Sequence, residues 1–172
     1  MSANSKLLRV ATLAATTAAL AGCASIADVP PGTPYMKVVQ EFGNPAASCP
    51  EPGGGTRMVW TQQPSGEQAW ATTVGSDKLT GPFTQVLNNR AFEQLNQGQW
   101  TAGMVRCAFG PPARSYVFGD NPNQIAWEYH YETSSDNDDF DVLYVTFDRA
   151  TNKVVGYSTA MDPTRNYLLI GH

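Results

Sequence analysis

The sequence predicts an α+β protein of two tandem modules, each with one or two short helices followed by a three-stranded antiparallel sheet. Three observations lead there. The segment FGNPAAS (Phe42 to Ser48) matches FGPPARS (Phe109 to Ser115) at five of seven positions, 67 residues further on. At the same spacing Val38 meets Val105 and Trp60 meets Trp127, as in an internal duplication. In both copies apolar residues at helical spacing run up to the match, and beyond it the apolar period changes to two.

The chain opens on MSANSKLLR, with Lys6 and Arg9 and no acid, and then runs uncharged from Val10 to Gly22. That run is shorter than the roughly 20 residues a membrane-spanning helix needs, and it suits the apolar region of an export signal. Leu20-Ala21-Gly22-Cys23 (an aliphatic residue, two small residues and a cysteine) resembles the lipobox of bacterial lipoproteins at every position. The resemblance implies a diacylglycerol on the Cys23 thiol, cleavage before Cys23, and an acyl group such as palmitate on the new amino terminus. The other reading is a plain signal peptide with an incidental cysteine. At roughly 0.8 kcal/mol per buried CH₂, two or three chains would hold the protein to a bilayer without any spanning helix. Ala24 follows the cysteine where an aspartate would signal inner-membrane retention, so the resemblance implies the periplasmic face of the outer membrane.

This divides the chain into a signal at 1–22, a lipidated tether at 23–32, module one at 33–87, module two at 88–161 and a tail at 162–172. A flexible tether of that length reaches about 15 Å, which keeps the body near the membrane. Cleavage removes Lys6 and Arg9 from the 11 basic residues, leaving nine against 15 acidic ones, a net charge of −6. An acidic chain without a basic cluster argues against nucleic acid as a partner. Cys49 and Cys107 remain. An oxidising compartment would permit a disulfide between them, and sequence alone leaves open whether they pair.

In module one Thr33 is the expected N-cap, with Pro34 at the first helical position. Tyr35, Val38, Val39 and Phe42 then share one face, and Gly43 and Pro45 end the helix. In module two Thr101 caps, Ala102, Val105 and Phe109 form the face, and Gly110 and Pro112 end it. A further helix, Arg90 to Asn96, precedes it; its counterpart in module one, 23–29, falls in the tether, so the first copy is expected to lack its leading helix. Strands follow in TRMVWTQ, AWATTV and near Phe83 to Leu87, and again in QIAWEYHYE, DVLYVTFD and KVVGYST. Ile125, Trp127, Tyr129 and Tyr131 should face one side of their strand, with Glu128 and His130 on the other.

Lipobox, short Pro/Gly tether, a helix ending V-x-x-x-F-G-x-P and a tryptophan strand together resemble the SmpA/OmlA (BamE-like) outer-membrane lipoproteins. Module two carries the likeness through FGPPARS, WEYHY and VTFDRATNKVVGY, and module one through VVQEFGNP and MVW. The chain departs in carrying two copies. A tandem of this kind is similar to the β-lactamase inhibitor protein, whose concave sheet grips an enzyme.

No sequence signature of a hydrolase, a zinc protease, a phosphate loop or a redox dithiol occurs after residue 23, so no enzyme, cofactor or metal is expected. His130 reads as a solvated or hydrogen-bonded side chain; an enzyme would need a cleft joining it to carboxylates. Asp136, Asp138, Asp139 and Asp141 lack the glycine and glutamate of a calcium loop and read as a solvated turn, and Gly53-Gly54-Gly55 reads as a flexible turn. Trp60 and Trp127 are expected in the core. Trp70, Trp100, Val142 and Tyr144 are the candidate interaction surface, with Val142 and Tyr144 covered either by the sister module or by a partner. The resemblance thus implies a non-enzymatic lipoprotein that scaffolds envelope proteins or the β-barrel assembly machinery. A periplasmic inhibitor or ligand-binding protein with a concave double sheet is the alternative.

Overall fold

The computed structural model describes residues 24–134 and 139–162. Cys23 and the signal 1–22, Asp136 and Asp138 of the acidic loop, and the tail from 163 lie outside the described residues. A 3-10 turn, Ile26–Asp28, leads into α1 (Tyr35–Phe42) and strands β1 (Ala47–Pro50), β2 (Thr56–Thr61), β3 (Ala69–Val74) and β4 (Thr84–Gln85). The second half begins with α2 (Asn89–Phe92), which passes into a 3-10 turn, Glu93–Asn96. Helix α3 (Ala102–Phe109) and strands β5 (Arg114–Val117), β6 (Gln124–Ser134), β7 (Asp139–Asp148) and β8 (Val154–Met161) complete it.

Each half holds a four-stranded antiparallel meander, β1-β2-β3-β4 and β5-β6-β7-β8, one strand more than the period-two pattern predicts. The additional strands, β1 and β5, are four residues long and begin inside the FGxPAxS match. Two alternations are too few for a period to show. The expected N-cap also differs in module one. Pro34 itself occupies the cap position, and the Thr33 hydroxyl donates to the Pro30 carbonyl at 2.6 Å. In module two Thr101 caps as its sequence predicts, accepting from the Met104 N–H at 3.3 Å.

The two halves repeat one another down to their hydrogen bonds. Tyr35 N–H donates to the Lys78 carbonyl, and Ala102 N–H, 67 residues on, to that of Asn152; Lys78 and Asn152 both adopt positive φ. Thr80 N–H donates to Thr33, as Val154 N–H does to Trp100. Gly43 and Gly110 end their helices at φ +78° and +86°.

The register of the second strand, however, separates the tryptophans that the sequence aligns. Ala47 pairs with Val59, whereas Arg114 pairs with Glu128, two positions later than the constant spacing gives. The residue in the place of Trp60 is therefore Tyr129. Trp60 Nε1–H donates to the Gly43 carbonyl at 2.9 Å, and the Tyr129 hydroxyl donates to the Gly110 carbonyl at 3.0 Å.

Alternation along β2 sorts the layers. Val59 and Arg57 face α3 of the second half, while Trp60 faces α1 and meets the rings of Tyr35 and Phe83. On the far side of α3, Phe109 and Phe92 lie against Tyr129 and Tyr131 of β6. The order is thus α1, first sheet, α3 with α2, second sheet. One core cluster runs through both halves, from Val59, Ala69 and Ala71 through Val105 and Phe109 to Leu143, Val145 and Phe147. Burying each Val, Leu or Phe of this cluster stabilises by about 1.5–3 kcal/mol, and the cluster is shared by the two halves.

Candidate functional site

Three places gather the chemistry-bearing residues. The first is the seam between the halves. Cys49 of β1 and Cys107 of α3 are joined by a disulfide with Cα atoms 5.9 Å apart. Beside it Arg57 donates from Nε to the Cys107 carbonyl (2.9 Å) and from Nη2 to the Ala108 carbonyl (3.2 Å), placing a cation on the C-terminal end of α3, where the helix dipole favours it. Burial lowers the Arg57 guanidinium from its ordinary value, and the charge of Glu51 opposes that shift. These residues line a cleft of about 620 Å³ with Pro50, Trp100, Met104 and Gln94. Trp100 is fixed there by Nε1–H, which faces the Gln94 carbonyl at 2.9 Å and the Gln97 carbonyl at 3.0 Å.

The second place is the outer face of the second sheet. His130 Nδ1 stands 2.8 Å from Asp162 Oδ2, and Nε2 stands 3.1 Å from Glu128 Oε1. Arg114 Nε approaches the same Glu128 oxygen at 3.8 Å. Asp162 is only 1% exposed, and Glu128 is buried as well. Burial first, and then the charge of Glu128, raise the phenols of Tyr116 and Tyr144. Strand alternation carries Glu128 and His130 to one face, and β8 returns the chain to place Asp162 against them. The Gln63 side chain crosses from the first half and hydrogen-bonds both backbone groups of His130, accepting at 3.2 Å and donating at 2.7 Å. His130 is thus largely buried within that outer face, with carboxylates at both nitrogens.

The third is a cavity of about 370 Å³ on the α1 side of the first sheet, lined by Ala24, Ser25, Ile26, Phe42, Trp60, Gln62 and Trp70, among others. The segment read as a tether forms its rim. Ser25 caps the turn Ile26–Asp28, and Gly32 N–H donates to the Thr80 carbonyl at 2.7 Å.

The structure does not unite the four residues of the expected interaction surface. Trp70 lines the cavity by the tether, Trp100 lines the seam, and Tyr144 is half-buried on the outer face. Val142, on that same face, is 1% exposed and offers a partner no surface, a correction to its place in that set. The sister module does not cover this face, because α3 and the first sheet lie on the opposite side. Sequence reasoning missed Arg57 and Asp162. The alternation of Glu128 and His130 was a visible signal for half of the His130 cluster, while Asp162 lies 32 residues away and carries no local mark.

Among the described residues no group of three or more His, Cys, Asp and Glu side chains is arranged to hold a metal ion, and no helix is long and apolar enough to cross a membrane. No family model, curated protein or solved structure matches the chain.

Proposed function

We propose that this protein is a lipid-anchored, non-enzymatic scaffold on the periplasmic face of the outer membrane, holding envelope proteins and in particular components of β-barrel assembly. The observation that carries the reading is the leader ending in Leu20-Ala21-Gly22-Cys23. Ala24 lines cavities of the first half together with Phe42 and Trp70, so an anchor at Cys23 would hold the body close to the bilayer. That attachment is shorter than a flexible tether of about 15 Å would give. The SmpA/OmlA (BamE-like) likeness, with its tandem of α+β modules, belongs to this same proposal.

The inert character of the body is inferred from the His130 cluster. Both ring nitrogens face carboxylates of the cluster, so each is engaged within the protein rather than directed at a substrate. A second reading, an inhibitor or ligand-binding protein, draws on the cleft of about 620 Å³ at the seam, a volume typical of small-molecule sites.

A Cys23→Ser variant tests the anchor. It is expected to accumulate as unprocessed precursor at the inner membrane, and recovery in the outer membrane at the wild-type level would contradict the proposal. Crosslinking of the acylated protein in membranes should then yield barrel-assembly subunits; recovery of a soluble hydrolase alone would favour the inhibitor reading.

A further inference from the structure

The duplication gives each half a place for a leading helix, and the two halves fill it differently. In the second half α2 supplies Phe92, whose ring stands edge-on to Phe109 (centroids 5.5 Å apart) and to Tyr131 (4.9 Å). Phe92 is 1% exposed. In the first half the turn Ile26–Asp28 sits 67 residues before Glu93–Asn96 and keeps the end of that helix. The position of Phe92 is held by Ser25, whose hydroxyl is occupied in capping the turn. The counterpart of Phe109 is Phe42 by the helix spacing, and that of Tyr131 is Gln62 by the strand register. Phe42 and Gln62 both line the cavity of about 370 Å³, together with Trp60 and Trp70. The cavity is the space that an aromatic ring fills in the sister half.

We propose that this cavity is an acyl-chain site and that its occupant is one chain of the lipid carried by Cys23; the inference rests on the anchor reading and deepens it. The walls offer two indoles and a phenyl ring to such a guest, with Thr61, Gln62 and Gln68 as polar parts of the lining. Their volume lies within the range of about 300–1,000 Å³ found for small-molecule pockets. The source follows from chain geometry. Ala24 and Ser25 form the rim, and consecutive Cα atoms are about 3.8 Å apart, so the residue that carries the lipid is bonded directly to a rim residue. The turn at Ile26–Asp28 is closed by its own hydrogen bonds, and the Gly32–Thr80 and Thr33–Thr80 hydrogen bonds tie the segment that follows it to the body. In water each CH₂ taken in gains about 0.8 kcal/mol, so the site shields a chain whenever the protein is away from a bilayer. Lipid anchor and fold are then one unit: the acyl chain replaces the aromatic plug that the first half lacks.

The test uses the acylated full-length product from cells fed a brominated fatty acid, purified into detergent whose own chains carry no bromine. Bromine quenches indole emission at contact. The expected result is loss of the emission of Trp60 and Trp70, two of the four tryptophans, with Trp100 and Trp127 unaffected. Ser25→Phe, which copies Phe92, should restore the emission while the acyl groups remain; Gln62→Tyr, which copies Tyr131, is the second occluding variant. Full emission from a protein whose mass includes the brominated chains would overturn the cavity proposal and leave the anchor standing. Quenching that persists in both folded occluding variants would overturn it too. A mass without acyl groups would remove the anchor and the proposal together.

Discussion

At the scale of single residues, Gly43 and Gly110 pose the same backbone problem with different surroundings. Both end a helix at positive φ with ψ of −175° and −174°, a region essentially reserved for glycine, where a side chain costs on the order of 1–3 kcal/mol. A Cβ at Gly43 would meet open space, whereas at Gly110 it would approach Val59 Cγ1 at 3.3 Å and Thr61 Cβ at 3.5 Å, across the seam. Gly43→Ala should therefore cost about 1–3 kcal/mol from backbone strain alone, and Gly110→Ala about 1 kcal/mol or more beyond it. Urea titration of the two variants checks the order, and equal costs would mean that the halves do not meet closely at Gly110. Tyr131 supplies a pH prediction. Its phenol, pushed up to about 12 by burial first and the charge of Asp141 second, donates to Asn89 Oδ1 at 2.7 Å. The folded state thus holds this proton more tightly than the unfolded chain, whose tyrosines titrate near about 10. Its contribution is fully present below pH 10 and is lost as pH rises from there through 12. Urea midpoints measured across that interval should fall, and Tyr131→Phe should flatten part of the fall.

At the scale of elements, the seam is held by β1, β2 and α3. The disulfide closes a loop between residues 58 apart, and chain entropy alone assigns such a link about 4 kcal/mol. Arg57 adds two charge-assisted hydrogen bonds to the α3 carbonyls at the same place. Reduction by thiol should lower the urea midpoint of the whole molecule in a single transition, because one core cluster spans both halves. Two separate transitions would show that each half folds alone. Element legibility followed length. QIAWEYHYE and DVLYVTFD show enough alternation to announce strands and the face that Tyr129 and Tyr131 bury. Ala47–Pro50 and Arg114–Val117 are too short to do so. The repeat was legible in its helices and misleading at Trp60 and Trp127, because two residues inserted before β6 move Tyr129 into the place of Trp60. Contacts made at long range were the least legible: the sequence allowed a Cys49–Cys107 disulfide without deciding it, and Gln63 with His130 and Asp162 with His130 depend on the meander closing.

At the scale of the whole molecule, four layers place α1 and the amino-terminal turn at one end and the His130 face at the other. An anchor beside Ala24 would turn the α1 end toward the bilayer. The outer face, with Tyr116, Tyr144, Arg114 and the buried carboxylates of Glu128 and Asp162, would then look away from it. Under the proposed scaffold role, partners would meet that face and the seam cleft, and Trp70 would lie on the lipid side.

The central claim is the anchor, and the intact mass of the protein extracted from outer membranes tests it most directly. The account predicts a chain beginning at Cys23 with a diacylglycerol thioether and an additional acyl group. A chain beginning at any other residue, or a Cys23 with a free thiol, would contradict it.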